Sequence, residues 1–279
     1  YDEAMAEALR IRQAEGQTLI HPFDAEPVIA GQGTIGLELL EQVPAMDVVI
    51  VPVGGGGLIS GIAMAVKETR PEVRVVGVES SALPAALRAR EAGEIVTIPP
   101  AETIAEGIAV RRIGINTFEL IEHYVDELVA VDEEEIASAV LLLLEREKTV
   151  AEAACAATVA AVVDGHINDL RGRRVVMVLS GGNIDVNLLS RIIDRGLIRD
   201  GRLTHLRVRV KDRPGALASL TALLAKRGAN VIGLEHRRGV HGLWLTEAEI
   251  DLTLETRGRE HIQELVAVLA REGYQVGRV

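Results

Sequence analysis

Apolar residues along the chain recur with two alternating periods. Continuous β-branched runs, the mark of a strand buried on both faces, occur at 48–51, 73–78, 125–131 and 174–179. Between them the apolar residues fall three and four apart, the helical period, at 28–42, 58–69, 84–92, 118–123, 133–146, 152–163 and 184–194. A first helix covers 2–15, with Ala4, Ala8 and Leu9 on one face, and stops at Gly16. Short strands are expected at 18–20 and 95–98, and 103–110 reads as a loop or helix start around Gly107. Gly31, Gly33 and Gly36 interrupt the second helix and predict close backbone packing there. Asp132 is placed to cap the 133–146 helix, with Glu134 and Glu135 at its positive end. Strand and helix thus alternate from 48 to 194. That order predicts an α/β fold with a mostly parallel sheet and helices on both faces, whose ligands bind beyond the carboxyl ends of the strands.

The pattern changes near Gly196. Residues 198–203 read as a short polar link. Strands come after it at 206–210, 231–236, 242–253 and 274–279, with helices after Arg213 and at 260–272. The order β-α-β-β-α-β is ferredoxin-like. The chain therefore divides into a first domain at 1–197, the link at 198–203 and a small domain at 204–279.

Composition narrows the chemistry. The formal net charge of -11 leaves no Lys/Arg excess to neutralise a nucleic-acid backbone. No apolar stretch reaches the ~20 residues that a membrane-spanning helix needs. A single cysteine, Cys155, excludes an internal disulfide framework and fits a reducing compartment, expected to be the cytoplasm. The seven histidines form no ligand cluster in sequence, and no metal site is expected.

Two loops at strand ends carry candidate chemistry. After the first run come Gly54, Gly55, Gly56 and Gly57, then a helix. Such a loop can turn its N–H groups toward an anion, and the helix adds its positive end, so phosphate is the natural ligand. A flexible glycine-rich turn is the plainer alternative. After the last run come Ser180, Gly181, Gly182 and Asn183. A hydroxyl there can face a ligand, or the stretch can satisfy its own backbone as a turn. Glu152 opens an apolar helix and reads first as a first-turn acid. Cys155 falls on an apolar helical face and reads as core. His21 and Asp24 can form a polar pair or, with Pro22 between them, a structural turn, and His236, Arg237, Arg238 and His241 suit a solvated basic patch. In DRPGALASL, Asp212 is placed to cap a helix with Pro214 in its first turn, leaving N–H groups for a small carboxylate ligand or an ordinary helix start.

Several stretches together resemble a known family: HPFD from His21, AGQGTIGLE from Ala30, VPVGGGGLISG from Val51, GVE from Gly77, TIAEGIAV from Thr103, LSGGNIDVNLLSRII from Leu179 and DRPGAL from Asp212. They are similar to the pyridoxal-phosphate enzymes of the tryptophan synthase β-like group (fold type II), most closely to threonine dehydratases with one C-terminal ACT domain. The resemblance implies a fold type II sheet domain, lacking its N-terminal part, followed by a ferredoxin-like ACT domain. It also implies conversion of L-threonine to 2-oxobutanoate and ammonia, and of L-serine to pyruvate, with pyridoxal 5'-phosphate. Serine racemase or serine dehydratase is the alternative enzyme, and a non-catalytic amino-acid-binding fragment is the alternative of another class.

The resemblance assigns roles to individual residues. Gly54, Gly55, Gly56 and Gly57 bind the cofactor phosphate. Ser180, beside Gly181, faces the pyridine nitrogen. Gly107, Ile108 and Ala109 line one face of the ring, and Glu152 lies near the cofactor. The ACT domain implies an amino-acid effector and pairing of subunits as a homodimer or homotetramer. The chain also departs from the family. The lysine that forms the Schiff base lies in a motif upstream of Tyr1 that is absent here. Lys67, Lys148, Lys211 and Lys226 sit in unsuitable contexts, so no catalytic residue is expected within the chain and the fragment alone is expected to be inactive. Leu83 and Ala85 supply no side-chain ligand where serine racemases hold a divalent cation near the residue matching Glu79.

Overall fold

The run Val48–Pro52 forms β1, buried at all five positions as a strand covered on both faces must be. In the computed structural model, residues 2–239 and 243–278 are described. His241 of the basic patch and the ends of the strands expected at 242–253 and 274–279 lie outside the described residues. Parallel neighbours flank β1: β2 (Arg74–Ser80) on one side and β4 (Val175–Met177) on the other. The strand β3 (Glu127–Val131) pairs with β2, giving the order β3-β2-β1-β4.

The helices of this unit are α1 (Asp2–Glu15), α2 (Glu26–Gln42), α3 (Gly57–Thr69), α4 (Ala85–Ala92), α5 (Ile115–Tyr124), α6 (Glu133–Leu142) and α7 (Ala153–Val163). A π turn, Leu143–Glu147, continues α6. The helix α7 is buried from Ala153 through Ala161 and packs across β1, β2 and β3. Its small side chains let it lie close to the strands. Val49, Val51, Ile59, Ile62, Val66 and Val75 are core residues between α3 and the sheet.

The expected close approach within α2 holds at Gly33 and Gly36, which pack on α3 around Gly61 and Ile62. Gly31 faces open space and takes no part. Asp132 caps α6 as expected, and Glu135 completes a reciprocal capping box. No strand forms at 18–20 or 95–98. Ile20 is exposed, and the Ile98 N–H bonds the Arg111 carbonyl at 2.9 Å while the Ile98 carbonyl accepts the Arg111 guanidinium at 3.0 Å. Among the described residues neither stretch has a ladder partner, so β-branched composition alone does not make a strand.

The last run of the first domain is also corrected. β4 is not buried: it is a three-residue edge strand with Met177 exposed, as is Leu179 beyond its end. Among the described residues its only partner is β1.

Glu79 on β2 is buried, and its carboxyl accepts the N–H groups of Ala86 and Leu87, both at 2.8 Å, tying down the first turn of α4. Burial pushes its pKa up from 4.5 to about 7, against the pull of those N–H groups and of Arg90. The folded chain therefore keeps a proton that the unfolded chain releases. This contribution to stability is full below the unfolded value and is lost as pH rises through about 7. The loss is on the order of 3 kcal/mol. Urea unfolding of Glu79→Gln at about pH 5 and about pH 7.5 should show that part of the slope removed. An unchanged slope would place the pH dependence elsewhere.

A second compact unit begins at Asn187. Its first helix, α8 (Val186–Arg199), runs past the expected domain boundary, and the Arg259 guanidinium bonds the Arg199 carbonyl at 2.8 Å. Beyond it come β5 (Leu203–Lys211), α9 (Ala216–Lys226), β6 (Asn230–Arg237), β7 (Glu247–Glu255), α10 (Arg259–Arg271) and β8 (Gln275–Arg278). The sheet is antiparallel in the order β6-β7-β5-β8, the ferredoxin-like arrangement. Leu206, Val208, Ile250, Leu252, Leu220 and Leu265 fill its core. Arg207 pairs with Asp251 at 2.7 Å and holds that carboxyl below its usual range.

Asp212 does not cap α9, and Pro214 precedes the helix. Gly215, with φ +86°, occupies the cap position, and the Asp212 carboxylate pairs with Arg238 at 3.0 Å instead. A left-handed cap favours glycine, which the expectation from Asp212 overlooked.

Candidate cofactor site

The glycine loop leaves β1 at its carboxyl end and enters α3. Gly55, Gly56 and Gly57 are buried. Gly56 sits at the cap position of α3 with φ +93°, a conformation that L side chains rarely adopt. The loop's carbonyls are bonded on the protein side. Gly55 O accepts the Thr117 hydroxyl at 2.8 Å and the Gly114 N–H at 3.4 Å, and Gly56 O accepts the Ser60 N–H at 3.0 Å. Because each peptide is planar and trans, those bonds turn the N–H groups of Gly56 and Gly57 the opposite way. Among the described residues, no acceptor faces the N–H groups of residues 54–59. A run of unanswered N–H groups on buried glycines, at the positive end of a helix, is an anion cradle.

The cradle forms one wall of a cavity of about 310 Å³, within the ordinary range for a small-molecule site. Gly54, Gly55, Gly56, Gly57, Gly107, Ile108, Ala109, Glu152 and Ser180 all line it. These expected residues come from four separate stretches. Gly181 does not line the cavity; a Cβ there would meet the Glu152 carboxylate. Glu152 stands at the N-terminal cap of α7 but caps nothing with its side chain. Its carboxylate instead accepts the Asn183 N–H at 3.3 Å and lies 3.1 Å from where a Cβ on Gly107 would be. The first-turn reading of Glu152 thus yields to a side chain that turns toward the cavity. Cys155 is buried, and its thiol, pushed up by burial, donates to the Gly181 carbonyl at 3.2 Å. That is a packing role.

Other parts of the site lie in stretches that the sequence marked but to which it gave no role at the cavity. Phe23 presses its ring on Gly55, and Phe23 O stands 2.8 Å from where a Cβ on Gly57 would be. The His21 Nδ1 accepts the Asp24 N–H at 2.9 Å, confirming the structural turn. The Asp24 carboxylate reaches α5, accepting the N–H groups of Ile115 at 2.8 Å and Thr117 at 3.1 Å. Asp24 thereby places Thr117, and Thr117 places the glycine loop. A partner 93 residues away leaves no local pattern to read. Glu106 and Ala154 also line the cavity.

Among the described residues, no lysine lines the cavity. The Lys67 Nζ is held by Asp126 at 2.7 Å, and the Lys148 Nζ donates to the Glu145 carbonyl at 2.7 Å. No group of His, Cys, Asp and Glu side chains among the described residues is arranged to hold a metal ion. Also among the described residues, no helix is long and apolar enough to cross a membrane.

Residues 1–181 match the family described as pyridoxal-phosphate dependent enzyme, and residues 204–273 match the ACT domain. The L-threonine ammonia-lyase of Thermotoga maritima is 48% identical over 276 residues, covering 99% of this chain and 68% of that protein. The solved structure of a threonine deaminase from T.th. is 41% identical with a TM-score of 0.60, over 64% of this chain and 65% of that one. That of the Dictyostelium discoideum serine racemase is 37% identical with a TM-score of 0.60, over 65% and 58%. The chain thus spans about two thirds of the Thermotoga relative and less of the two solved chains. A cradle of open N–H groups fits the phosphate of this family's cofactor, and the chain belongs to the pyridoxal-phosphate-dependent enzymes, in the threonine ammonia-lyase family, with an ACT domain following its cofactor-binding unit.

Proposed function

We propose that the protein deaminates L-threonine to 2-oxobutanoate and ammonia, and also L-serine to pyruvate. The observation that carries this is the Thermotoga match, which runs through both units of the chain. Over about two thirds of the chain, a serine racemase is nearly as similar as a threonine deaminase, at 37% against 41% identity. Bound pyridoxal phosphate supplies an electron-withdrawing ring that stabilises negative charge at the substrate α-carbon. The N–H groups of Gly54, Gly55, Gly56 and Gly57 would hold its phosphate. The Ser180 hydroxyl would serve the ring nitrogen as a neutral partner, and Gly107, Ile108 and Ala109 would line the ring. Glu152, fixed against the loop of Gly181, Gly182 and Asn183, would stand near the cofactor. Among the described residues no lysine lines the cavity, so covalent attachment of the cofactor is assigned to none of the four lysines of the chain, and binding without turnover is expected of these 279 residues.

In the ACT unit, a second cavity of about 580 Å³, lined by Lys211, Arg213, Gly215, Ser219, Glu272 and Tyr274, is the place for an amino-acid effector. Subunits pair as dimers or tetramers in the cytoplasm. The test is a product assay on the protein purified from cells that make it, with L-threonine, L-serine and D-serine. Release of 2-oxobutanoate from L-threonine is expected. Interconversion of the serine enantiomers with no keto acid from threonine would overturn the reading.

A further inference from the structure

A side chain outside the cavity holds the segment that leads into its wall. Glu133, the first residue of α6, reaches back to the segment before Gly107. Its carboxylate accepts the Thr103 hydroxyl at 2.7 Å and the Ile104 N–H at 2.7 Å, one on each oxygen. The Ser80 hydroxyl, at the end of β2, donates to it at 3.0 Å. Both hydroxyls are themselves engaged as acceptors, Thr103 from the Ala105 N–H at 3.0 Å and Ser80 from the Ala82 N–H at 3.2 Å. Three donors thus converge on one carboxylate, an arrangement suited to a negatively charged, acceptor-only group.

The held segment leads straight into the cavity wall. A single tight turn, Glu106–Ile108, comes directly after Ala105. A Cβ on Gly54 would lie 3.0 Å from the Ile108 Cα, so the turn and the glycine loop are in backbone contact. Movement at Thr103 and Ile104 would therefore be passed through Ile108 to the cradle.

We propose that Glu133 is a positioning residue for the cofactor site: it touches no cavity atom, yet it sets the height of the turn on which the glycine loop rests. The proposal rests on the reading of the cavity as the pyridoxal-phosphate site. Glu133→Asp isolates the effect, since it keeps the negative charge that suits the first turn of α6 but falls one methylene short. Glu133→Gln keeps the reach, and the hydroxyls can turn to accept from its amide.

The experiment uses the 279-residue chain and pyridoxine 5'-phosphate, an alcohol that cannot react with surface lysines. Binding is measured by calorimetry, and amide hydrogen exchange is measured without ligand. Glu133→Asp should bind about tenfold more weakly or worse, and Glu133→Gln within about threefold of the parent. Exchange at residues 104–110 should rise in Glu133→Asp while exchange in 136–142 of α6 stays as in the parent. Parent-like binding by a folded Glu133→Asp chain, or unchanged exchange at 104–110, would overturn the proposal. General loss of protection across the unit in both variants would also overturn it, by assigning Glu133 to overall stability. If the parent itself does not bind the ligand, the cofactor reading fails, and the exchange result alone decides the positioning role.

Discussion

Alanine at position 61 should destabilise the first unit by about 3 kcal/mol or more, near the upper end of what overpacking costs. A Cβ on Gly61 would come well inside 3.0 Å of the Ile29 carbonyl oxygen and within 3.0 Å of the Gly33 nitrogen. Both are backbone atoms of α2, so no side chain can swing aside. The two helices must separate, and Ile59, Ile62 and Val66 of α3 belong to the core beneath them. Alanine is the better helix former, so propensity pulls toward greater stability. The expected net loss therefore measures the close approach itself. Denaturant unfolding checks it, with Gly31→Ala as the control: a glycine of the facing helix α2 with open space at the Cβ, for which a neutral or slightly stabilising result is expected.

The second large effect is on binding. Gly57→Ala places a Cβ 2.8 Å from Phe23 O and 3.0 Å from Phe23 Cα. The start of α3 and the 21–24 turn are then forced apart at the point where the open N–H groups converge. Loss of one well-aimed, charge-assisted bond should weaken pyridoxine 5'-phosphate binding by about 2–3 kcal/mol, roughly 30- to 150-fold. Stability should change far less than in Gly61→Ala, because Gly57 is the first residue of its helix. Calorimetry and thermal melting on the same sample separate the two. A variant that melts like the parent and binds like the parent would remove Gly57 from the cradle.

These two glycines show which parts of the molecule were legible. Gly57 belongs to a run whose composition already points to an anion. The chemistry of a bare backbone is written in the residues that form it. Gly33 and Gly36 advertised close packing because a glycine inside a helix needs a reason. Gly31 gave the same signal and faces open space, since sequence does not say which side of a helix meets its neighbour.

The ties that hold the site were not legible. Asp24 to Thr117 spans 93 residues, and Glu133 to Ile104 spans 29. A carboxylate that answers distant N–H groups looks in sequence like any surface acid. The strand before Ser180 misled for a related reason. Its β-branched run reads the same whether one or two neighbours pair with it, and β4 has only β1 among the described residues. Asp212 misled because Arg238, its partner, lies 26 residues away and the cap position fell to Gly215.

A phosphate grip by the glycine loop is tested most directly by a calorimetric comparison of pyridoxine 5'-phosphate with pyridoxine on the 279-residue chain. The phosphate ester should bind at least about tenfold more tightly, because the cradle answers the anion and not the ring. That difference should disappear in Gly57→Ala. Equal binding of the two compounds, or a phosphate preference that survives in Gly57→Ala, would contradict a phosphate grip by this loop.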